Sequence, residues 1–287
     1  MSESTGGDSA VPAITLNDGH HVPQLGFGVF QIPPEDTAEV ALRALEIGYR
    51  HIDTAEMYRN ERGVGLAVSR SGLDRSEVFV TSKLSNAFHR PDDARRAFEE
   101  TLAELGFGYL DLFLIHWPLP TRYDGDFVST WHVLEEFRAA GLTRSIGVSN
   151  FHPNHIDRLL AESDTVPAVN QVEVHPYLTQ DELRSYDAGH GIATEAWSPI
   201  ARGRVLSDPT VADVARRLGK SPAQVVLRWH IQRGDVVIPK SVTPSRMREN
   251  FELFDFRLDP GDIEAIDALD RGERTGPDPD TFDWIPS

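Results

Sequence analysis

An α/β fold of one kind, a parallel (β/α)8 barrel with an N-terminal β-hairpin and a short C-terminal tail, is what this chain predicts, on three observations. Short apolar runs alternate with amphipathic helical stretches at a period of roughly thirty to forty residues, and that alternation implies a parallel sheet. Eight such units fit into about 260 residues, which suits a closed barrel better than an open doubly wound sheet. No linker interrupts residues 12 to 270 of the 287. One barrel domain is therefore expected over residues 11–287, with an ample core.

The stretch Met1 to Ala10 is polar, lacks the apolar segment of a signal peptide, and reads as a disordered leader. Ala13-Ile14-Thr15-Leu16 and His21-Val22-Pro23 flank Asn17-Asp18-Gly19, and an Asx-Gly pair between short apolar runs predicts a hairpin. The repeat then begins with a strand at 24–29 and a helix at 37–48, followed by 51–54 with 60–70, 78–83 with 91–105, and 110–116 with 127–140. It continues with 145–149 and 154–161, then 168–174 and 180–190. The seventh unit pairs a strand at 193–198 with two helices, 210–218 and 222–233, and the eighth pairs 236–239 with 244–251. Length separates the two kinds of segment, since the strands are brief apolar runs and the helices carry an apolar stripe.

Composition narrows the function. Lys+Arg 28 against Asp+Glu 45 gives a net charge of -17, which repels nucleic acids and anionic membranes. Apolar and charged fractions of 40% and 25% are those of a soluble globular protein, and no run approaches the roughly 20 apolar residues of a membrane span. With no cysteine, disulfides, thiolate catalysis and Cys-based metal sites are excluded, which fits a cytoplasmic enzyme. Gly26-Phe27-Gly28 and Gly63-Val64-Gly65 do not complete the dinucleotide fingerprint and read as turn or close-packing glycines. Gly219-Lys220-Ser221 has the tail of a P-loop, but Val214 stands where its first glycine belongs, and Pro222 suits the first position of a helix. Eleven histidines include no H-E-x-x-H, Asn154-His155 and His20-His21 read as surface or cap positions, and no metal site is expected.

The chemistry gathers at strand ends. Asp53 follows the run Tyr49-Arg50-His51-Ile52, Tyr58 lies in the turn beyond it, Lys83 ends Val78-Phe79-Val80-Thr81-Ser82, and His116 ends Leu110 to Ile115. An Asp–Lys pair that merely seals a barrel, with Tyr and His satisfied nearby, accounts for any one of these residues. Four of them at the carboxyl ends of neighbouring strands, where barrel enzymes keep their catalytic groups, favour acid–base work. Lys83, held by Asp53, is expected to lower the pKa of the Tyr58 phenol, while His116 orients a substrate oxygen.

Across about residues 13–270 the chain resembles the aldo-keto reductases, in the bacterial diketogluconate-reductase-like branch. The resemblance rests on Gly48-Tyr49-Arg50-His51-Ile52-Asp53-Thr54-Ala55 with Tyr58 and Asn60-Glu61, on Leu110-Asp111-Leu112 leading to His116-Trp117-Pro118, and on Gly147-Val148-Ser149-Asn150-Phe151, Asn170-Gln171-Val172-Glu173 and Ile238-Pro239-Lys240-Ser241. It implies a catalytic tetrad of Asp53, Tyr58, Lys83 and His116 and an NADPH cofactor bound without a Rossmann fingerprint. Ser149, Asn150 and Gln171 are then expected on the nicotinamide carboxamide, and Trp197 on the ring, where many members carry Tyr. Lys240, Ser241, Val242, Thr243, Arg246, Glu249 and Asn250 match the adenosine end, and two cations plus hydroxyls at a strand-to-helix junction suit a phosphate. Their alternative is an ordinary surface helix start. Phe27, Phe30, Trp117 and Trp284 are expected to line an apolar substrate pocket, with Phe30 standing where many animal members have Trp. The implied activity is reduction of aldehydes or ketones by hydride transfer, with Tyr58 as general acid, in a monomer whose partners are small carbonyl compounds. An NADPH-binding regulatory subunit, like the barrel β subunits of potassium channels, is the alternative, and a metal-dependent hydrolase a poorer third.

Overall fold

The computed structural model describes residues 11–286, and the leader expected over residues 1–10 lies outside the described residues. The hairpin forms as expected: β1 (Ala13–Thr15) and β2 (His21–Pro23) pair antiparallel, with Gly19 at φ 88° in the turn. Eight more strands follow: β3 (Phe27–Gly28), β4 (His51–Asp53), β5 (Phe79–Leu84), β6 (Leu110–Ile115), β7 (Thr143–Ser149), β8 (Val169–Glu173), β9 (Ala193–Trp197) and β10 (Val236–Val237). Each is hydrogen-bonded in parallel to its neighbour in chain order. The two ends of that sheet also meet. Val237 N donates to Gln24 O (2.9 Å), Gly26 N to Val237 O (2.8 Å) and Gly28 N to Pro239 O (3.2 Å), so the barrel closes and leaves no exposed edge. Both seam strands are shorter than 24–29 and 236–239, partly because Pro239 has no N–H to give.

The helices surround the sheet: α1 (Pro34–Ile47), α2 (Glu61–Arg70), α3 (Pro91–Leu105), α4 (Val128–Ala139), α5 (Pro153–Glu162), α6 (Asp181–Gly189), α7 (Pro209–Leu218), α8 (Pro222–Arg233), α9 (Pro244–Phe251) and α10 (Pro260–Asp267). Proline sits in the first turn of all but α2, α4 and α6, where its missing N–H costs nothing and its fixed φ suits a helix start. Ser221 caps α8 by accepting from Gln224 N, and Lys220 pairs with Asp255 (2.5 Å), so this stretch serves a helix start and not a phosphate loop. Gly65 is a packing glycine, since a Cβ there would lie 2.0 Å from Leu105 O. The helix α10 was not anticipated, nor were the 3-10 turns Glu56–Tyr58, Arg75–Glu77, Tyr123–Gly125 and Ala201–Ser207.

Alternation along the strands decides what faces the barrel axis. His51 and Asp53 of β4 point inward and Ile52 outward, and Phe27 is in register with Ile52. Leu16 and Val22 of the hairpin join Phe79, Leu112, Leu114 and Val236 in one buried apolar cluster. That plug shuts the amino-terminal end of the barrel. The carboxyl end is lined instead by polar strand ends. No helix among the described residues is long and apolar enough to cross a membrane.

Candidate active site

At that carboxyl end β4 delivers Asp53, β5 delivers Lys83, and the 3-10 turn after β4 swings Tyr58 back over them, with Arg59 ending the turn at φ 56°. Lys83 is fully buried, and its Nζ donates to Asp53 Oδ1 (2.7 Å), Asp53 Oδ2 (2.8 Å) and Thr54 O (2.8 Å). All three ammonium protons are thereby satisfied, which is what a buried charge requires. Gln171 Nε2 adds a bond to Asp53 Oδ2 (2.8 Å) and gives its second proton to Glu195 Oε1 (3.1 Å). Lys83 Nζ lies 5.2 Å from the centre of the Tyr58 ring, which also meets the rings of Phe30 (5.0 Å) and His116 (5.7 Å, edge-on).

The protonation states follow from burial first and neighbours second. Burial, the largest single influence, pulls the Lys83 ammonium down, but Asp53, Tyr58 and Glu195 together outweigh it and the pKa stands above the ordinary lysine value. Burial pulls His116 well below its usual value, and the nearby Lys83 and His89 push the same way, so its imidazole is neutral. Tyr58 departs from expectation. Burial pushes its phenol up to about 12, and Lys83, although it pulls in the predicted direction, does not reverse that. The phenol is a weak acid held protonated, not one tuned toward neutrality.

Next to these four residues, Ser149 Oγ donates to Gln171 O (2.8 Å), Asn150 Nδ2 to His116 O (2.9 Å) and Trp197 Nε1 to Asn150 Oδ1 (2.8 Å). Asn150 holds φ 64°, a left-handed conformation that asparagine tolerates better than most residues. The predicted residues at the ends of β4 to β9 thus form one hydrogen-bonded floor. At the start of α9, Lys240, Val242, Thr243 and Arg246 are exposed, Ser241 and Asn250 are buried, and Glu249 is half-buried. Ser241 Oγ accepts from Thr243 N (3.1 Å).

A profile of the Aldo/keto reductase family matches residues 24–271. The chain belongs to the aldo/keto reductase family. An aldo-keto reductase of Mycolicibacterium smegmatis is 51% identical over 273 residues, covering 95% of this chain and 98% of that one. The methylglyoxal reductase DkgA of Escherichia coli (strain K12) is 46% identical over 271 residues, covering 94% and 97%. A crystal structure of a mutant of Gox0644 in complex with NADPH superposes with a TM-score of 0.91 at 45% identity, covering 95% of this chain and 99% of that one.

Two placements around the barrel mouth depart from expectation. Phe27 does not face the mouth. It is 1% exposed and packs edge-on against Tyr49 (5.5 Å), whose hydroxyl donates to Met247 O (3.0 Å), so it belongs to the layer between sheet and helices. Its neighbour Gly28, in register with Asp53, takes the inward position. The second departure is the tail, which runs across the mouth along a path the sequence did not reveal. Phe282 lies against Trp117 (4.3 Å between rings), while the Trp284 carbonyl accepts from Asn86 Nδ2 (2.9 Å) and the Trp284 side chain stays exposed. Asp280 ties the tail to α5 through His152 Nδ1 (3.0 Å) and His155 Nε2 (3.2 Å), and Glu173 accepts from Thr275 N (2.6 Å) and Gly276 N (3.1 Å). A Cβ on Gly276 would fall 2.4 Å from Trp197 Cη2, so only glycine lets the tail pass so close to that indole. His155, read as a cap, is one: its Nδ1 accepts from His152 N (3.1 Å).

Proposed function

We propose that this chain reduces small aldehydes and ketones to alcohols with NADPH, Tyr58 giving the proton to the developing alkoxide. The observation that carries the reading is a protonated phenol set between a buried, saturated Lys83–Asp53 pair and a neutral imidazole at the open end of the barrel. When bound, NADPH supplies the hydride. The residues fit that cofactor. Both amide protons of Gln171 are committed, so its side chain meets a carboxamide through its oxygen. Trp197 offers a ring fixed by its bond to Asn150.

His116, neutral and next to Tyr58, donates a hydrogen bond that orients the substrate oxygen. Lys83 stabilises the negative charge that builds on the phenol as its proton leaves. Phe30, Trp117 and Phe282 shape an apolar mouth, which suits small substrates of broad variety. Methylglyoxal is the first compound to assay, given the name carried by the DkgA relatives. Steady consumption of NADPH with an added carbonyl panel tests the reading. A regulatory subunit would bind NADPH and leave it unconsumed, and one substrate exceeding all others by about 10⁴ in kcat/KM would rule out broad specificity.

Cofactor preference rests on Lys240 and Arg246, which pair with no carboxylate among the described residues although the chain carries net charge -17. They are free to meet the 2′-phosphate, the charged group that distinguishes NADPH from NADH. Loss of a charge-assisted bond costs about 1.5–3 kcal/mol, so Arg246→Ala is expected to weaken NADPH roughly 10- to 100-fold and leave NADH nearly unchanged in fluorescence titrations. Equal losses for both would move Arg246 to the adenine or the shared pyrophosphate.

A further inference from the structure

Glu195 occupies the inner face of β9, in register with Gln171 of β8, and has no exposure to solvent. It lies two residues before Trp197, the last residue of β9, and so below the mouth. Through the single Nε2 of Gln171 its Oε1 is joined to Asp53 Oδ2, while its Oε2 is buried with no partner. The elements around it present few charges. His51 of β4 places Nε2 3.9 Å away, Asp53 of β4 and Lys83 of β5 act across the interior, and Tyr58 feels the same field from the turn. Gln171 is neutral, β10 brings Val236 into register, and β3 carries no ionisable side chain.

Two carboxyl groups therefore share one cation, and Lys83 is already spanned by both oxygens of Asp53. His51 provides no second cation, because burial holds its pKa down to about 4. A second uncompensated carboxylate in such a place is strongly disfavoured. Burial first, and Asp53 next, push the Glu195 pKa up to about 8. Glutamine or an apolar residue would fill this position at lower cost to the fold, so a titrating group here needs a reason.

We infer that Glu195 is a positioning residue for the nicotinamide, fixing Gln171 from below and, when ionised, placing a negative charge under the cofactor's redox end. This rests on Gln171 holding the carboxamide, as proposed above. The nicotinamide ring is cationic in NADP+ and neutral in NADPH, so an ionised Glu195 favours the oxidised form and a protonated one does not. The side chain thus couples pH to the relative affinity of product and substrate cofactor.

The test is the ratio of Kd for NADP+ to Kd for NADPH, measured by titration across pH in the wild type and in Glu195→Gln, which keeps an acceptor for Gln171 and cannot ionise. The wild-type ratio is expected to fall about tenfold between about pH 6.5 and about pH 9.5, the scale of one charge–charge contact inside a protein, while the variant ratio stays at its low-pH value. Glu61 and Asp187 are also pushed up to about 7, but they are common to both proteins, so the difference between the two curves isolates Glu195. Parallel curves, or two flat ones, overturn the inference. A variant that binds neither cofactor overturns it too, since Glu195 would then be structural. If the wild type itself does not bind NADPH, the proposed function fails before Glu195 is reached.

Discussion

Tyr58→Phe is expected to lower carbonyl reduction by about 10²–10⁴ while leaving NADPH affinity unchanged. The ring itself is held by Phe30, the edge of His116 and the Lys83 ammonium over its face, so what the substitution loses besides the proton is the hydroxyl's own interaction with Lys83. Phenylalanine keeps all three and removes one proton. No other group nearby replaces that proton. Lys83 has each of its protons committed to Asp53 and Thr54, and His116, held neutral by burial, is a poor acid. The high phenol pKa gives the test a second arm. With ionisation pushed up to about 12, the acid stays loaded across the working range, so reduction shows no alkaline fall arising from Tyr58. Alcohol oxidation needs the phenolate and therefore rises with pH. Rates of Tyr58→Phe near those of the wild type in both directions would move the proton to water or to His116.

The barrel, and the gathering of Asp53, Tyr58, Lys83 and His116 at its carboxyl end, were legible because each rests on short-range pattern. Lys83 is a lone cation closing the apolar run from Val78, and the helix starts at Pro91, Pro222 and Pro244 are written in prolines at the first helical position. The helix α10 carried the same signal, Pro260 after the capping Asp259, and was readable on that ground. Phe27 failed for a physical reason. A strand of two residues has no alternation long enough to phase, and a shift of one residue exchanges inside for outside. Gly28 being in register with Asp53 decides it, and register is a tertiary fact.

Long-range partners were hidden for the same reason. Phe282 and Gly276 reach Trp117 and Trp197 only because the tail is tied to α5 and β8, and nothing local to residues 274–286 announces those ties. Glu195 within Ala193-Thr194-Glu195-Ala196-Trp197 reads as an ordinary polar residue in a strand, since its burial emerges only when the barrel closes around it. The phenol shows the limit in energetic terms. The sign of the Lys83 effect is a matter of charge and was deducible, but desolvation, the larger influence, depends on depth.

Lys83→Met should abolish activity to nearly the extent of Tyr58→Phe and, unlike that substitution, destabilise the fold by about 3–5 kcal/mol, because it leaves the Asp53 carboxylate buried without its cation. The sign at the phenol is also set. Lys83 pulls its pKa down against burial, so removing the cation drives ionisation to still higher pH and the loss of activity is not recovered by making the buffer more alkaline. A second substitution separates the two effects. Replacing Asp53 as well, in the double variant Lys83→Met with Asp53→Leu, removes both charges, and a buried pair exchanged for apolar side chains is often neutral or stabilising. Chemical denaturation of the double variant is therefore expected to recover most of the lost stability while carbonyl reduction stays at background. If stability and activity return together, Lys83 matters only as the partner of Asp53. If stability stays low with both charges gone, the cost lies in packing around the Gln171–Glu195 link, and the pair is not what makes Lys83 expensive to remove.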